Sequence, residues 1–310
     1  MPGASQTIGS LDPTSRAYRF LRRVPTWALW LLAVLWSIPS LGLVVDTLHR
    51  RDDQYAGFWT AFTSGTGGWT LDVYRYTLSM ESTNSFTEGM LNSVAIAVPA
   101  TVIPLGIAAA AAYAFAWIGF RGRAGLFILL VALIVVPFQV SLIPLLELWV
   151  GGAHLTIAGK TLTVFPDLSL NGTTTAVWLT HIGFALPFGI FLIHNAMARL
   201  PRDLIDMARL DGASELRILV QIVLPLTMPV LASFAVLQFL VAWNDYLIAV
   251  TMIGFNTAAM PATVKFSGGI MPGGMVEGAA VVMHSAVAIA LFLAMQRFFV
   301  RGLLAGSVDG

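Results

Sequence analysis

Six apolar stretches, each long enough to cross a lipid bilayer, dominate the pattern of hydrophobic and polar positions along this chain. A transmembrane helix needs about 20 predominantly apolar residues. Stretches of that kind lie at Trp27–Val45, Met90–Trp117, Leu126–Val150, Thr174–Met197, Ile218–Val250 and Val276–Phe299. The fifth is longer than a bilayer requires, so we expect it to tilt or to protrude. The pattern predicts an all-α membrane protein with six transmembrane helices.

The polar stretches between these spans divide the chain into parts. The predicted parts are an N-terminal segment at 1–25, a first transmembrane helix at 26–46, a long external loop at 47–89, a transmembrane domain at 90–300 with a charged loop at 199–217, and a C-terminal tail at 301–310. The N-terminal segment is rich in Gly, Ser, Thr and Pro, so we expect most of it to be disordered. Its basic end resembles a signal peptide, but the apolar run that follows is too long, so we expect that span to be retained.

Arginine and lysine positions predict how the chain crosses the membrane, because short cytoplasmic loops carry an excess of both. One side collects Arg16, Arg19, Arg22, Arg23, Arg121, Arg123, Arg199, Arg202, Arg209, Arg217, Arg297 and Arg301. The other side has Arg50, Arg51, Arg75, Lys160 and Lys265. The richer side is predicted to be cytoplasmic and to hold both termini and the 199–217 loop. The chain is therefore expected in the cell membrane as a multi-pass protein.

Composition supports a membrane protein and excludes other classes. Hydrophobic residues make up 57% of the 310 positions and charged residues 11%, whereas charged residues are about a quarter of a soluble domain. The net charge of +1 gives no general attraction to nucleic acid. The chain has no cysteine, which excludes disulfides and thiolate metal sites.

No segment carries a full set of catalytic or cofactor-binding residues. Gly159-Lys160-Thr161 matches the end of a phosphate-binding loop, but His154 stands where that loop requires its first glycine. The five histidines do not cluster at metal-ligand spacing. We therefore expect no enzymatic activity, cofactor or metal in this chain, and any use of ATP must come from a partner chain.

Two predicted external loops have recognisable patterns. The loop at 47–89 mixes acidic and aromatic residues, which fits either interfacial aromatics or a docking surface for an external partner. The stretch LTIAGKTLTVF at 155–165 alternates apolar and polar positions and predicts a small β-hairpin.

The loop between the fourth and fifth spans predicts a short amphipathic helix of about three turns. Pro201 suits its first turn, and Gly212 suits its end because glycine adopts the left-handed conformation without strain. The predicted apolar stripe is Leu200, Leu204, Met207 and Ala208, and the opposite face holds Arg202, Asp206 and Arg209.

Two interpretations of this helix follow from its residues. It is either a surface helix stabilised by the pairs Arg202–Asp206 and Asp206–Arg209, each worth about 0.2–0.5 kcal/mol, or a docking element. The small residues Ala208 and Gly212 favour docking, because they let another surface approach closely.

The same segment resembles the EAA loop of ABC importer permeases. In that family Glu-Ala-Ala is followed after three residues by Gly, and after nine more by Ile-x-Leu-Pro. Here Asp206-Met207-Ala208, Gly212 and Ile222-x-Leu224-Pro225 keep this spacing. Asp206 replaces the usual glutamate with a carboxylate one methylene shorter, and Met207 replaces the first alanine.

A wider resemblance covers about residues 85–310 and is to the carbohydrate, maltose-permease-like branch of these permeases. It includes Leu91-Asn92-Ser93, Trp243-Asn244-Asp245 and the ending FVRGLLAG at 299–306. An alpha-glucoside or other disaccharide permease is the narrower resemblance.

The resemblance implies one permease subunit of an ATP-driven importer, forming half of the path for a carbohydrate such as a disaccharide. The implied partners are a second related permease, two ATPase subunits that bind ATP and Mg, and an extracytoplasmic sugar-binding protein. The charged loop would form a cytoplasmic coupling helix seated in an ATPase cleft. The residues expected to act there are Arg202, Asp206, Ala208, Arg209, Asp211 and Gly212.

Five residues are candidates for the substrate path or its gate, namely Asn92, Phe184, Phe188, Asn244 and Asp245. An intramembrane carboxylate such as Asp245 is costly and is usually paired or exposed to a cavity. For Asn244 and Asp245, a structural hydrogen-bond network at the external gate explains the residues as well as a path does. Packing explains the two phenylalanines, and a hydrogen bond between helices explains Asn92.

Other classes of transporter remain as alternatives. An ABC permease for a non-sugar solute fits the same loop. An ion-coupled secondary transporter predicts midplane charges and internal repeats, and the sequence offers only Asp245 and no visible repeat.

Overall fold

A computed structural model describes residues 25–49, 57–63, 68–80, 85–157, 160–271 and 274–305. The predicted N-terminal segment before residue 25 and the end of the tail after residue 305 lie outside the described residues. So do the parts of the 47–89 loop at 50–56, 64–67 and 81–84.

Helices make up most of the described chain. They are α1 (Thr26–Leu48), α2 (Thr60–Thr63), α3 (Asp72–Ser79), α4 (Phe86–Trp117), α5 (Arg123–Val135), α6 (Phe138–Gly151), α7 (Thr174–Met197), α8 (Arg202–Leu210), α9 (Glu215–Ile218), α10 (Leu224–Trp243), α11 (Leu247–Ile253), α12 (Ala262–Ser267) and α13 (Met275–Ala305). A π-helical turn at Leu219–Val223 joins α9 to α10, and a 3-10 turn at Thr257–Ala259 lies between α11 and α12.

Five helical stretches in the described chain are long and apolar enough to cross a membrane. They are α1, α4, α7, the continuous stretch Glu215–Trp243 and the first part of α13. The pair α5 and α6 would make a sixth span if counted together. The prediction of six spans therefore agrees with the upper end of this range of five to six.

The third predicted span is not one helix, and the prediction of a continuous segment at Leu126–Val150 was wrong. α5 and α6 meet at an angle of 102°. Proline restricts the residue before it to extended conformations, and Val136, which precedes Pro137, has φ −71° and ψ 119°. The chain leaves the helix there and starts a new one after the proline.

The fifth predicted span is longer than the helix that forms there, because the helix ends at Trp243 rather than at Val250. A separate short helix, α11, begins four residues later at Leu247. The carboxylate of Asp245 accepts the backbone N–H groups of Ile248 and Ala249. It caps the new helix and so separates it from α10. The stretch from 247 to 267, containing α11 and α12, is called the return segment below.

α4 lies at the centre of the bundle, packed against α7, α10 and α12. Its contact face near the α8 end carries Ala108, Ala109 and Ala112, all buried. Such small side chains let helices approach closely inside a membrane. Around them lies an apolar cluster that extends into the charged loop through Ile205.

The predicted hairpin is confirmed. Strand β1 (Ala153–Ile157) pairs antiparallel with β2 (Lys160–Phe165), with Leu155 opposite Leu162 and Thr156 opposite Thr161. The alternation that predicted it separates an apolar face from one that carries threonines. This hairpin is a small departure from the predicted all-α class.

Candidate functional site

α8, called the loop helix below, occupies the charged loop as predicted. Pro201 precedes its first residue as the N-cap. At the other end, Gly212 has φ +79°, and the N–H of Ala213 donates to the carbonyl of Ala208 at 3.0 Å. This is the hydrogen bond of a glycine-terminated helix, in which glycine relieves the strain that a side chain would impose. Gly212 turns the chain back toward α9.

The apolar stripe predicted for the loop helix was correct for Leu200 and Ala208, which pack against the bundle, and wrong for Leu204 and Met207. Ile205 is fully buried, whereas Met207 is 65% exposed and Leu204 is also exposed. Ile205 packs into the cluster formed by α4, α7 and α9, together with the half-buried Ala208. The loop helix therefore presses its Ile205 side on its own bundle. This leaves Met207, with Leu210 and Leu216 nearby, uncovered by the described chain.

Arg209 connects the loop helix to two other helices. Its Nε lies 2.9 Å from Glu215 Oε1 and its Nη2 3.2 Å from Glu215 Oε2. The same Nη2 donates to the carbonyl of Trp117 at 3.1 Å, at the end of α4. The hydroxyl of Tyr113, also in α4, donates to Glu215 Oε2 at 2.5 Å. The hydrogen bond with Glu215 raises the pKa of the Arg209 guanidinium.

Four of the other predicted coupling residues, Arg202, Asp206, Asp211 and Gly212, lie on the exposed side of this arrangement, whereas Ala208 is half-buried against the cluster. The Asp206 side chain is 65% exposed, and its carboxylate lies 3.5 Å from Arg209. The predicted Arg202–Asp206 pair is absent among the described ion pairs, and Arg202, Asp211 and Gly212 are exposed. A Cβ added to Gly212 would meet no atom within 4 Å.

Sequence reasoning missed Glu215, Tyr113 and Trp117 as members of this site. Arg209 and Glu215 are six residues apart, which is not a pairing distance along a helix, so only the Gly212 turn brings them together. The available signal was the start of a new helix. Ser214 caps α9 by accepting the N–H of Arg217, which places Glu215 in its first turn.

The candidate path residues Asn92, Asn244 and Asp245 lie together around the return segment, away from the charged loop. Asn92 donates to the carbonyls of Ala258 and Met260. The Asp245 side chain is 11% exposed, and its Oδ2 lies 3.6 Å from Nε2 of the buried His181. Asn244 is exposed and donates to the carbonyl of Leu240 in its own helix.

Phe184 and Phe188 line a separate cavity of about 610 Å³ at the break between α5 and α6. The wall includes Phe138, whose ring makes an edge-to-face contact with Phe184 at 5.7 Å. Ser141 contributes a hydroxyl to an otherwise apolar lining. The volume falls within the range of about 300–1,000 Å³ of small-molecule sites. The structure thus separates the path candidates into two groups.

No group of three or more histidine, aspartate or glutamate side chains able to hold a metal occurs among the described residues.

Comparison with known proteins identifies relatives over almost the whole chain. The chain is 41% identical to the osmoprotective compounds uptake permease protein GgtD of Synechocystis sp. over 306 residues, covering 95% of each chain. It is 44% identical over 275 residues to the alpha-glucoside transport system permease protein AglG of Rhizobium meliloti, covering 87% of this chain and 68% of that protein.

The fold is that of a solved importer subunit. A chain in the crystal structure of a bacterial ABC transporter for the acidic polysaccharide alginate superimposes with a TM-score of 0.66 at 20% identity, covering 92% of this chain and 98% of that one. A family profile described as binding-protein-dependent transport system inner membrane component matches residues 102–304. This chain therefore belongs to the family of inner membrane components of binding-protein-dependent transport systems.

Proposed function

We propose that this chain is the permease subunit of an ATP-driven importer and forms half of the path for a carbohydrate of the α-glucoside class. The observation that carries the substrate class is the 44% identity to an alpha-glucoside permease over 87% of the chain. Its family membership favours an ATP-driven importer over an ion-coupled transporter.

The loop helix is the proposed contact with the ATPase. Its bundle-facing side is anchored by Ile205, while Met207 and Leu210 stay exposed beside the carboxylate of Asp206. Interfaces pair an apolar centre with a polar rim, and this surface offers both. Asp206 is assigned an ion pair with the ATPase, and Gly212 leaves space for close seating, with Ala208 beside it. Arg202 and Asp211 support the contact, whereas Arg209 bonds to Glu215 and Trp117 of its own chain and so holds the loop helix from behind.

The orientation and the partners follow from this assignment. The loop helix and both termini face the cytoplasm, where the ATPase subunits bind ATP and Mg. A second related permease completes the path, and an extracytoplasmic binding protein delivers the solute. A solved alginate transporter, which shares the fold, is described in complex with a periplasmic protein that holds an alginate pentasaccharide.

The cavity at the α5–α6 break is the proposed lining of this subunit's half of the path. The C–H face of a sugar ring is apolar and packs on aromatic rings, whose faces are electron-rich. Phe138, Phe184 and Phe188 supply three such rings, and Ser141 supplies a hydroxyl for a sugar oxygen. Asn92, Asn244 and Asp245 are assigned to the gate around the return segment.

A second candidate solute comes from another relative. The chain is 41% identical to a permease named for osmoprotective compounds. A non-sugar osmoprotectant would enter through the same fold, so the substrate assay must include one.

The experiment is uptake by the complete complex reconstituted in proteoliposomes with its ATPase, second permease and binding protein. Maltose, sucrose and trehalose serve as α-glucosides, and glycine betaine serves as the non-sugar compound. We expect ATP-dependent uptake of at least one of the three sugars and none of glycine betaine. Uptake of glycine betaine alone would contradict the substrate class.

Three matched variants on α7 test the cavity. Phe184→Ala and Phe188→Ala remove a ring from its wall, whereas Phe191→Ala removes a ring that stacks on Phe127 and does not line it. We expect the first two to lower uptake at least tenfold per assembled complex, and Phe191→Ala to lower it less than threefold. An equal loss in all three would assign the rings to packing.

A further inference from the structure

The contacts of Arg209 point inward to its own chain rather than outward to a partner. The Arg209 side chain is 34% exposed, and its guanidinium donates to Glu215 and to the carbonyl of Trp117. Together with Tyr113, these groups are called the clasp below. The clasp joins three helices: α8, which carries Arg209; α9, which begins with Glu215; and α4, which carries Tyr113 and ends at Trp117.

Two of the clasp contacts occupy a group that would otherwise lack a partner. Trp117 is the last residue of α4, where a carbonyl has no partner within the helix. Tyr113 is buried, and a buried hydroxyl without a partner is costly. Two parallel hydrogen bonds fix the planes of the Arg209 and Glu215 groups relative to each other. The clasp therefore restricts the angle between the loop helix and the end of α4.

The other end of α4 is bound to the return segment through three of its side chains, Asn92, Ser93 and Glu88. Asn92 donates to the carbonyls of Ala258 and Met260, and Ser93 accepts the N–H of Ala262. Lys265 Nζ, fully buried, lies 2.8 Å from Glu88 Oε2. α4 has 32 residues, about 48 Å at the α-helical rise. A single helix thus links the clasp to the candidate gate.

We propose that the clasp is the joint through which movement of the loop helix reaches α4, and that α4 carries this movement to the return segment. Arg209, Glu215 and Tyr113 are positioning residues for transport in this scheme. The inference rests on the proposed function, because the loop helix must move with an ATPase. The loop helix is also joined through the chain to α7 before it and to α9 and α10 after it, and the clasp adds a direct route along α4.

Because this chain has no cysteine, one cysteine introduced in the return segment is the only thiol of the chain that a probe can label. Phe255 is fully exposed in the turn after α11, so Phe255→Cys introduces one thiol there, and Ala258→Cys is a second probe position. The labelling rate with a membrane-impermeant maleimide is measured in the full complex, without nucleotide and after trapping with ATP and vanadate. This readout requires no knowledge of the transported solute.

Arg209→Gln and Glu215→Gln are placed on the Phe255→Cys background. We expect the nucleotide-dependent change in labelling rate to fall at least fivefold, while the ATPase stays bound and its hydrolysis rate remains within twofold. Tyr113→Phe should have a smaller effect in the same direction. The exchange Arg209→Glu with Glu215→Arg should restore part of the change, because it reverses the pair and keeps its charges.

Arg217→Gln is the matched control. Arg217 is an exposed arginine of the same loop whose Nε donates to Gln221 one turn away, with no contact to α4 among the described residues. It should leave the labelling change intact. A full labelling change in Arg209→Gln, no change in the parent protein, or loss of the ATPase from Arg209→Gln would overturn the proposal. Failure of the wild-type chain to bind an ATPase would instead overturn the proposed function.

Discussion

The ammonium of Lys265 is fully buried and lies 2.8 Å from the carboxylate of Glu88, whose side chain is 40% exposed. The same Nζ donates to the carbonyl of Ser85 at 3.2 Å. The two residues are 177 positions apart and join the first turn of α4 to α12. One partner of the pair can reach water and the other cannot.

This asymmetry predicts different costs for the two halves of the pair. Glu88→Gln removes a carboxylate that lies beside a buried positive charge, so we expect it to cost more stability than removal of the charge itself. Lys265→Met removes the buried charge and leaves Glu88 able to face solvent, so we expect a loss below about 1.5 kcal/mol. Thermal unfolding of the detergent-purified complex measures both. Equal destabilisation would show that the charge of Lys265 is compensated by other groups.

A methyl group at Gly189 should destabilise the bundle. A Cβ there would lie 2.5 Å from Cζ of the buried Phe234, and overpacking a core costs about 1–3 kcal/mol. Gly106→Ala is the control, because a Cβ at this helical position meets no atom within 4 Å. We expect a lower unfolding temperature for Gly189→Ala and an unchanged or higher one for Gly106→Ala.

Gly212→Leu should release the ATPase, and Gly122→Leu should not. Both glycines have positive φ, at +79° and +83°, and a Cβ at either meets no atom of this chain. Each substitution therefore adds a similar backbone strain, about 1–2 kcal/mol. Only Gly212 adjoins the loop helix, so only there would the new side chain stand between the permease and its partner. Co-purification of the ATPase, normalised to permease, separates the two effects. Equal retention in both variants would remove Gly212 from the contact.

Replacement of Asp245 should lower the stability of the protein, whereas replacement of Asn244 should not. Asp245→Ala loses the cap of α11, at about 1 kcal/mol, so both stability and uptake should fall. Asn244→Ala removes an exposed amide bonded to its own helix, and stability should stay within about 0.5 kcal/mol. Uptake and unfolding temperature are measured on the same preparations. A loss of uptake in Asn244→Ala at full stability would place this residue on the path, whereas unchanged uptake would exclude it.

Local patterns in the sequence predicted much of the fold. The bounds of α7 match the predicted fourth span, the hairpin lies where alternation predicted it, and the loop helix occupies the segment between Pro201 and Gly212. Each of these features depends on neighbours within a few residues, such as an apolar run, a period of two or a glycine stop. The break at Pro137 also has a local cause in the sequence, because proline restricts the conformation of the residue directly before it, Val136.

Packing between helices that are distant in the sequence determined which polar side chains of the site bond to each other. Arg209 reaches Trp117 across 92 positions, and Tyr113 reaches Glu215 across 102. The sequence marks these residues as polar or amphipathic groups that need partners, but many partners would satisfy the same need. It determined that a charged helix joins two spans and ends at Gly212. The tertiary structure packs the buried alanines of α4 close to Ile205 of that helix. This close packing determined which groups the charged side chains bond to.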